Sequence, residues 1–244
     1  MENLMFGVHP VLEALKSDQS IDKVLVLNTL KTPGVKEIIE LVKEKGISLN
    51  RVPMDKLNRI TRKNHQGIIA FSAPIKFHDI KKIVPEVIAK GKDPFILILD
   101  RVSDVRNFGA LLRTAECAGV DAVIIPKKGA AQINAETTKT SAGAIFNVPI
   151  CKVGGIETVL PYLIESKIRL IACTEKTTIN YTDIEYKGGL GIILGSEESG
   201  IAESNIKKCE KAVKIPLLGK TESLNVSVAG GIILYEALRQ RSIG

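Results

Sequence analysis

A continuous apolar run, Phe95–Asp100 (FILILD), constrains the fold of this 244-residue chain more than any other feature. Five apolar residues without polar alternation predict a strand that is buried on both faces of a sheet. A helix is predicted to follow over Gly109–Cys117, because Leu111, Leu112 and Ala115 lie at helical spacing. Strands that alternate with helices predict an α/β fold with a mostly parallel sheet.

The same alternation extends through the chain in two series. The first series has predicted helices at Val11–Lys16, Val35–Lys45 and Met54–Ile60 and strands at Lys23–Leu27, Ile47–Val52 and Gly67–Phe71. The second adds strands at Ala122–Ile125, Ile168–Cys173, Leu190–Leu194 and Ala212–Ile215 and helices at Ala135–Thr140, Ile156–Glu165 and Asn225–Arg241. The first series ends near Ala73-Pro74. We therefore expect a small α/β domain over 1–74, a basic linker with one short helix over 75–92, and a larger domain over 93–244.

The formal net charge of +7 is concentrated in residues 51–92, and the rest of the chain is close to neutral. A basic stretch of this kind indicates a polyanionic partner that is bound through its phosphates. Aromatic residues make up only 4% of the chain and Trp is absent, which argues against stacked aromatic platforms for bases.

Several classes of protein are excluded by composition. With 45% hydrophobic and 25% charged residues, the chain has globular and not disordered composition. No apolar run approaches the roughly 20 residues of a membrane span, and the N-terminus does not resemble a secretory signal. The four cysteines lie far apart without metal-ligand spacing, which indicates reduced thiols, and the apolar surroundings of Cys117, Cys151 and Cys173 predict core positions for these three. We expect a cytoplasmic protein with no membrane segment and no metal.

Ligands of parallel sheets bind beyond the carboxyl ends of the strands, and this rule selects three loops. The first follows Asp100 and leads through Asn107 into the helix that carries Arg113. The second, residues 194–201, lacks the Gly-Lys-Ser/Thr ending of a phosphate loop, and its two carboxylates favour a ligand with hydroxyls, an amine or a positive centre. Each feature also has a structural interpretation: Asn107 as a helix cap, Arg113 as a solvated residue, and the second loop as a plain turn.

The third loop, residues 215–231, leads into the last helix, which Ser223 or Asn225 is expected to cap. Gly230 and Gly231 lie inside that helix, where each glycine costs about 1 kcal/mol relative to alanine. A packing helix has no need of this cost. We therefore expect a backbone or a neighbouring chain to approach closely at these two positions.

Taken together and in order, the three loops resemble the SpoU (TrmH) family of RNA ribose 2′-O-methyltransferases, within the SPOUT superfamily. The matching positions are Asn107, Gly109, Arg113, Thr114, Gly195, Glu197, Gly200, Pro216, Gly219, Ser223, Leu224 and Asn225. Residues 6–11 and 65–68 are similar to the family's small, ribosomal-protein-like substrate-binding domain, so the resemblance spans nearly the whole chain. One departure is Val105-Arg106, because many members have a proline in this part of the first loop.

The resemblance implies S-adenosylmethionine as methyl donor, a deep trefoil knot in the larger domain, and an active site completed across a homodimer. It implies catalytic roles for Asn107, Arg113, Glu197, Ser223 and Asn225. It implies cofactor binding by Leu194, Gly195, Ile215, Leu217, Leu224 and Asn225. Because a guanidinium essentially never loses its proton in proteins, we expect Arg113 to grip a phosphate beside the target ribose.

With an RNA substrate implied, the basic stretch becomes the expected docking surface. The predicted RNA contacts are Arg51, Arg59, Arg62, Lys63 and Arg106. Members with this two-domain layout include the enzyme for a guanosine ribose in 23S rRNA, which makes rRNA the leading substrate. Three alternatives stay open: methylation of tRNA, methylation of another rRNA position for antibiotic resistance, and a non-catalytic RNA-binding or ribosome-assembly protein. Residues 1–74 favour rRNA, since many tRNA-specific relatives lack this domain, and the intact catalytic positions favour an enzyme.

Overall fold

The computed structural model describes residues 4–17, 21–72 and 75–242. The chain divides into two compact units, residues 1–76 with 133–135 and residues 77–132 with 136–244. Ala73-Pro74, where the first domain was expected to end, lies outside the described residues.

In its described residues, the first unit is a small α/β sandwich of four strands and three helices. Its elements are β1 (Leu4–Phe6), α1 (Val8–Lys16), β2 (Ile21–Leu27), α2 (Pro33–Glu44), β3 (Ser48–Val52), α3 (Met54–Ile60) and β4 (Ile68–Ser72). The sheet order is β1-β4-β2-β3, with β2 and β3 parallel and β4 antiparallel to both of its neighbours. The helices α1 and α2 bury Leu15 and Ile38 in one core with Val26, whereas Leu57 of α3 packs with Leu25 in another.

The turn before β4 is held by a buried histidine, His65. Its Nδ1 accepts a hydrogen bond from the amide of Gly67 at 3.0 Å, so the ring proton lies on Nε2 and is donated to Asn58 Oδ1, also at 3.0 Å. The carbonyl oxygen of Ile68, the residue after Gly67, accepts a hydrogen bond from the amide of Gly7 at 3.1 Å. These contacts join the two N-terminal segments on which the sequence resemblance rests.

The second unit is a six-stranded, entirely parallel sheet with helices. Its elements are α4 (Ile80–Ala89), β5 (Phe95–Asp100), α5 (Val105–Cys117), β6 (Ala122–Pro126), α6 (Ala135–Thr140), β7 (Ile150–Val153), α7 (Ile156–Glu165), β8 (Arg169–Cys173), β9 (Leu190–Gly195), α8 (Glu203–Ile206), β10 (Lys211–Val213) and α9 (Val226–Ser242). The strand order is β10-β8-β9-β5-β6-β7. The chain winds outward from β5 in one direction and returns to the other side through β8 and β9. The loops after β5 and β9 therefore flank the point where the winding reverses, which is where open parallel sheets bind ligands.

The core of this unit confirms the buried character of β5, in which every residue is buried. Ile96 and Ile98 pack with Leu160 of α7 on one face of the sheet. Ile80 and Val84 of α4, which lie within the stretch expected to be a linker, are buried in the same core. No helix in the described ranges is long and apolar enough to cross a membrane.

The helix that carries Asn107 and Arg113 begins earlier in the structure than the sequence predicts. The helix α5 begins at Val105 and not at Gly109, because the Asp104 carboxylate caps it by accepting the amide hydrogen of Asn107 at 2.8 Å. The structural interpretation of Asn107 as the cap is therefore wrong. Val105 occupies the first helical position, where proline is often found. The helix begins here with valine in place of the proline that many members of the family have.

Candidate active site

One side chain, Asn225, joins the three loops selected from the sequence. Its Nδ2 donates to Asn107 Oδ1 at 2.9 Å and to Glu197 Oε1 at 2.8 Å. The same Glu197 oxygen lies 3.4 Å from the amide of Val226. Asn107 belongs to the first turns of α5, Glu197 to the loop after β9, and Asn225 to the start of α9, so residues 118 apart in sequence meet in one cluster.

The orientation of the Asn225 amide follows from its position as the cap of α9. Its Oδ1 accepts from the amide of Ser227 at 2.9 Å and lies 3.4 Å from that of Val228. Because the helix start presents only donors, the oxygen must face the helix, and both Nδ2 hydrogens are left for the two acceptors, Asn107 and Glu197. Asn107 spends its Oδ1 on this contact, which leaves its own Nδ2 without a protein partner among the described residues.

Next to this cluster lies a cavity of about 410 Å³. Five of the residues expected to bind cofactor line it: Leu194, Gly195, Ile215, Leu217 and Leu224. Two of the expected catalytic residues, Glu197 and Ser223, also line it. The sixth cofactor prediction, Asn225, is not part of the lining but holds Glu197 in place. A cavity of this volume falls in the range of small-molecule and cofactor sites.

The sequence interpretation missed one wall of the cavity, the segment Cys173, Thr174, Glu175 and Lys176. These residues leave the carboxyl end of β8, next to β9 in the sheet. The rule that selected the other loops applies to this one equally, so the signal was present in the sequence. The cavity is rich in carboxylates: Glu175, Glu197, Glu198 and Glu222 line it against the single cation Lys176.

The two expected cations of the first loop, Arg106 and Arg113, both lie at the surface and outside the asparagine cluster. Arg113 is exposed on α5, six residues after Asn107 and therefore about 120° further round the helix. Arg106 is also exposed and lies 3.6 Å from a carboxylate oxygen of Glu136 on α6.

The four expected RNA contacts of the first unit are all exposed. Arg59 and Arg62 line an open cleft of about 880 Å³ with Asp55, Asn58, Ile60 and Thr61. Arg51 donates to the carbonyl of Asn28 at 3.1 Å, and the Lys63 ammonium lies 5.8 Å from the centre of the Phe6 ring. The structure thus groups Arg59 with Arg62 and gives Arg51 and Lys63 other local partners.

The cysteines are free thiols, but they are not all in the core. Cys151 is buried, whereas Cys117 is exposed, so the expectation of a core position for Cys117 is wrong. Cys117 occupies the last turn of α5, beyond the buried apolar face of that helix. Burial raises the pKa of the Cys173 thiol in the cavity wall to about 12. Within the described residues, no group of three or more His, Cys, Asp or Glu is placed to hold a metal ion.

The arrangement matches a known family over both units. Residues 94–235 match the model of the SpoU rRNA methylase family, and residues 4–78 match that of the RNA 2′-O ribose methyltransferase substrate-binding domain. The chain belongs to the SpoU rRNA methylase family. The sequence resemblance is thereby confirmed, and the matched span contains the asparagine cluster and the cavity.

Relatives that match almost the whole chain are named for the TrmH family. A protein of Staphylococcus saprophyticus, named a TrmH family tRNA/rRNA methyltransferase, is 33% identical over 241 residues, which are 99% of this chain and 97% of the relative. The Bacillus subtilis protein YacO, also named a TrmH family tRNA/rRNA methyltransferase, is 31% identical over 238 residues, which are 98% of this chain and 96% of YacO. The SpoU family member is thus an RNA methyltransferase whose relatives share its whole length.

Solved structures confirm the α/β fold of this SpoU family member. The SpoU methyltransferase AviRb from Streptomyces viridochromogenes, in complex with the cofactor AdoMet, matches with a TM-score of 0.63 and 23% identity over 99% of this chain and 91% of AviRb. The TrmH/SpoU tRNA modifying enzyme of A. aeolicus matches with a TM-score of 0.55 and 30% identity, over 62% of this chain and 76% of that enzyme.

Proposed function

We propose that this protein is an S-adenosylmethionine-dependent RNA ribose 2′-O-methyltransferase that acts on a guanosine of 23S rRNA. The observation that carries the proposal is the cluster of Asn107, Glu197 and Asn225 at the edge of a cofactor-sized cavity. Membership of the SpoU family supports RNA methylation, and the matched substrate-binding model supports the ribose 2′-oxygen as the acceptor.

The residues of the cavity fit S-adenosylmethionine. Leu194, Ile215 and Leu224 offer apolar surface for the adenosine, and the excess of carboxylates suits a ligand with a cationic sulfonium and an ammonium group. When bound, this cofactor supplies a methyl group on positively charged sulfur. Backbone groups of Gly195 and Leu217, which line the same cavity, complete the set of residues that would hold it.

The acceptor side of the reaction falls to the asparagine cluster and to Arg113. Asn107 Nδ2, which has no protein partner in the described part of the chain, is placed to donate to a ribose oxygen. Asn225 and Glu197 fix the position of Asn107, and Ser223 shapes the cavity beside them. Arg113 binds the adjacent phosphate as a permanent cation and is not the base, because its guanidinium keeps its proton. In-line transfer depends on this orientation of donor and acceptor.

The domain layout supports rRNA as the substrate. The structures named for rRNA methyltransferase activity cover 98% of this chain, whereas two named for tRNA modification cover 62% and 61%. The first unit, proposed here as the RNA-binding domain with Arg51, Arg59, Arg62 and Lys63, falls largely outside what the shorter matches can include. With RNA as its substrate, the protein acts in the cytoplasm.

A homodimer completes the proposal. The outer face of α9 exposes Val228 and Tyr235, each 50% accessible, and Ile232 and Gly231 lie between them. Leu218, in the loop before α9, is fully exposed. An apolar stripe of this kind on a surface helix fits burial against a second copy of the chain. The dimer would bring one protomer's Arg113 into a site formed with its partner.

The experiment is methyl transfer to RNA in vitro. Purified protein is incubated with ribosomal RNA and S-adenosylmethionine labelled in the methyl group, and the RNA is digested to nucleosides for mass spectrometry. We expect label in 2′-O-methylguanosine, and we expect Asn107→Ala and Arg113→Ala to lower the rate at least tenfold. Label in a base, or near wild-type rates for both variants, would contradict the assignments.

A further inference from the structure

The loop after β9, residues 195–201, is attached to the rest of the second unit at two separate places. We call it the Glu197 loop. Its tip is held by the contact of Glu197 with Asn225. Its returning limb is held from the other side by residues at the end of β5, to which neither the sequence motifs nor the proposed reaction assigns a role.

The first of these residues is Asp100, the last residue of β5, which is only 4% exposed. It pairs in register with Gly195, where the Glu197 loop begins. One carboxylate oxygen, Oδ2, accepts from the amide of Ala202 at 2.8 Å and from Asn205 Nδ2 at 3.1 Å. Asp100 therefore spans the loop, because it lies beside its first residue and binds the residue that follows its last.

The environment of Asn205 fixes the orientation of its hydrogen bond to Asp100. The side chain is 2% exposed, and its Oδ1 has no hydrogen-bond partner among the residues that the structure describes. A buried carbonyl oxygen without a partner is unfavourable, and turning the amide over would point that oxygen at the Asp100 carboxylate. The buried amide of Asn205 is therefore oriented by its hydrogen bond to Asp100.

The second residue is Arg101. Its Nε donates to Asp100 Oδ1 at 3.0 Å, and its Nη2 donates to the carbonyl of Gly200 at 3.3 Å. Its backbone has φ of 61°, a left-handed conformation that is unfavourable for a residue with a Cβ atom. The conformation aims the guanidinium at the returning limb of the Glu197 loop.

The loop has little freedom to settle elsewhere. A Cβ placed on Gly195 would lie 2.1 Å from the carbonyl carbon of Gly200, so the two limbs are in backbone contact. The amide of Gly200 also donates to the carbonyl of Ser196 at 2.9 Å. With limbs this close, a shift of Gly200 must move the whole loop and with it Glu197.

We propose that Asp100 and Arg101 are positioning residues that hold the returning limb of the Glu197 loop, so that Glu197 reaches Asn225 and the loop forms its wall of the cavity. This inference rests on the proposed function for its effect on catalysis. Its effect on the loop itself does not depend on that function.

The experiment compares Arg101→Gly with Lys167→Gly. Lys167 is an exposed cation that, like the half-buried Arg101, has a left-handed backbone, φ 60°, and it precedes β8 at the end of that strand opposite the cavity. Glycine suits both conformations, so each variant removes a cationic side chain while relieving the backbone. We expect both to melt within a few degrees of wild type.

Hydrogen exchange followed by mass spectrometry reads the loop without cofactor. We expect exchange over 195–202 to be at least tenfold faster in Arg101→Gly and unchanged in Lys167→Gly. We also expect calorimetry to give a Kd for S-adenosylmethionine about tenfold higher in Arg101→Gly, as for the loss of one charged hydrogen bond. Asp100→Asn leaves a single acceptor oxygen for the donors of Arg101, Ala202 and Asn205, so it should show the same two changes more strongly.

The outcomes separate the two claims. A wild-type protein that binds no S-adenosylmethionine contradicts the proposed function, while faster loop exchange in Arg101→Gly alone still supports the positioning role. Unchanged exchange over the Glu197 loop in both Arg101→Gly and Asp100→Asn overturns the positioning role, whatever the cofactor does. A melting temperature for Arg101→Gly far below that of Lys167→Gly also overturns it, because Arg101 would then be a general structural residue.

Discussion

At the scale of single residues, Asn225 uses the two ends of one amide for two purposes. The oxygen caps α9, and the nitrogen joins Asn107 to Glu197. The sequence predicts the first use, since an asparagine before a helix is a common cap. It cannot predict the second, because no local pattern connects positions 107 and 225. The resemblance to a family supplies both residues, and the structure supplies the bonds between them.

This division makes Asn225→Asp a selective change. An aspartate keeps the acceptor that caps the helix and suits the positive helix start, so we expect the free energy of unfolding to fall only by the lost Nδ2 contacts and the new repulsion from Glu197, about 1–3 kcal/mol. It also puts an oxygen against the acceptors Asn107 and Glu197. We expect methyl transfer to fall about 100-fold, as for two lost hydrogen bonds of about 1.4 kcal/mol each. RNA methylation and thermal unfolding measure the two effects.

The control for that change is Asn225→Ala, which loses the cap as well. It should be about as slow as Asn225→Asp, and the loss of the cap should lower its free energy of unfolding by about 1 kcal/mol beyond the cost of the lost Nδ2 contacts. If Asn225→Asp methylates RNA at the wild-type rate, the link through Nδ2 has no part in the reaction.

The cysteines give a prediction that depends on pH. Alkylation requires the thiolate, and a pKa of about 12 keeps the Cys173 thiol protonated well above neutral pH. Cys117 is exposed on α5. With iodoacetamide at pH 8, we expect peptide mass spectrometry to show modification of Cys117 well before Cys173, and Cys173 to react faster as the pH rises toward 12. Equal rates at pH 8 would mean that the thiol in the cavity wall is not shielded.

At the scale of elements, the two glycines of α9 prove to be different. A Cβ on Gly230 would lie 2.3 Å from Leu111 Cδ2 and 2.9 Å from Leu194 Cδ1, and both leucines are buried. A Cβ on Gly231 meets nothing closer than Thr114 Cγ2 at 4.0 Å. A close approach is therefore found at Gly230, where α9 packs on α5 and β9, but leucine side chains make it and not the backbone or neighbouring chain that the sequence led us to expect. Gly231 faces the side on which the proposed dimer forms.

The pair Gly230→Ala and Gly231→Ala tests this difference. Overpacking costs about 1–3 kcal/mol, more than the roughly 1 kcal/mol that alanine gains in a helix, so Gly230→Ala should be destabilised by up to about 2 kcal/mol. Gly231→Ala should be as stable as wild type or more so when measured as a monomer. Chemical unfolding provides the stabilities, and light scattering shows whether Gly231→Ala weakens the dimer. Equal destabilisation of the two monomers would contradict the packing described for Gly230.

Most helices and the buried strands were predictable from the sequence, and the shortest strands were not. The helices over Ala135–Thr140 and Ile156–Glu165 have the predicted bounds. The strands β1 and β7 were missed, because three or four residues carry too little periodicity and form strands only by pairing with β4 and β6. The predicted strand Ala212–Ile215 is shorter in the structure, Lys211–Val213, where it pairs with β8.

At the scale of the whole molecule, the charge of residues 51–92 belongs to two units. Arg59 and Arg62 line a cleft of the first unit, whereas Lys81 and Lys82 lie on α4 of the second. The concentration of positive charge was visible in the sequence. The boundary between the two units was not, because α4 is basic on its surface and apolar toward the core. The trefoil knot and the homodimer that the resemblance implies stay predictions.

The cleft gives a prediction about RNA affinity. We expect the double variant Arg59→Ala with Arg62→Ala to bind rRNA more weakly and to lower the slope of log affinity against log salt by about 1 to 2. Its affinity for S-adenosylmethionine should not change. Lys36→Ala with Lys43→Ala, two exposed lysines on α2 of the same unit, is the matched control. Filter binding over a salt series measures the slope for both double variants. An equal decrease of the slope in both would contradict the assignment of the cleft to RNA binding.

The measurement that tests the central claim most directly is a map of 2′-O-methyl groups in rRNA and tRNA from cells with and without this protein. The proposed function predicts that one ribose methyl, on a guanosine of 23S rRNA, is lost without the protein and restored by the wild type but not by Asn225→Asp. If the lost methyl group were in tRNA, the proposed substrate would be wrong and the proposed reaction would stand. Identical ribose methylation with and without the protein would contradict the account.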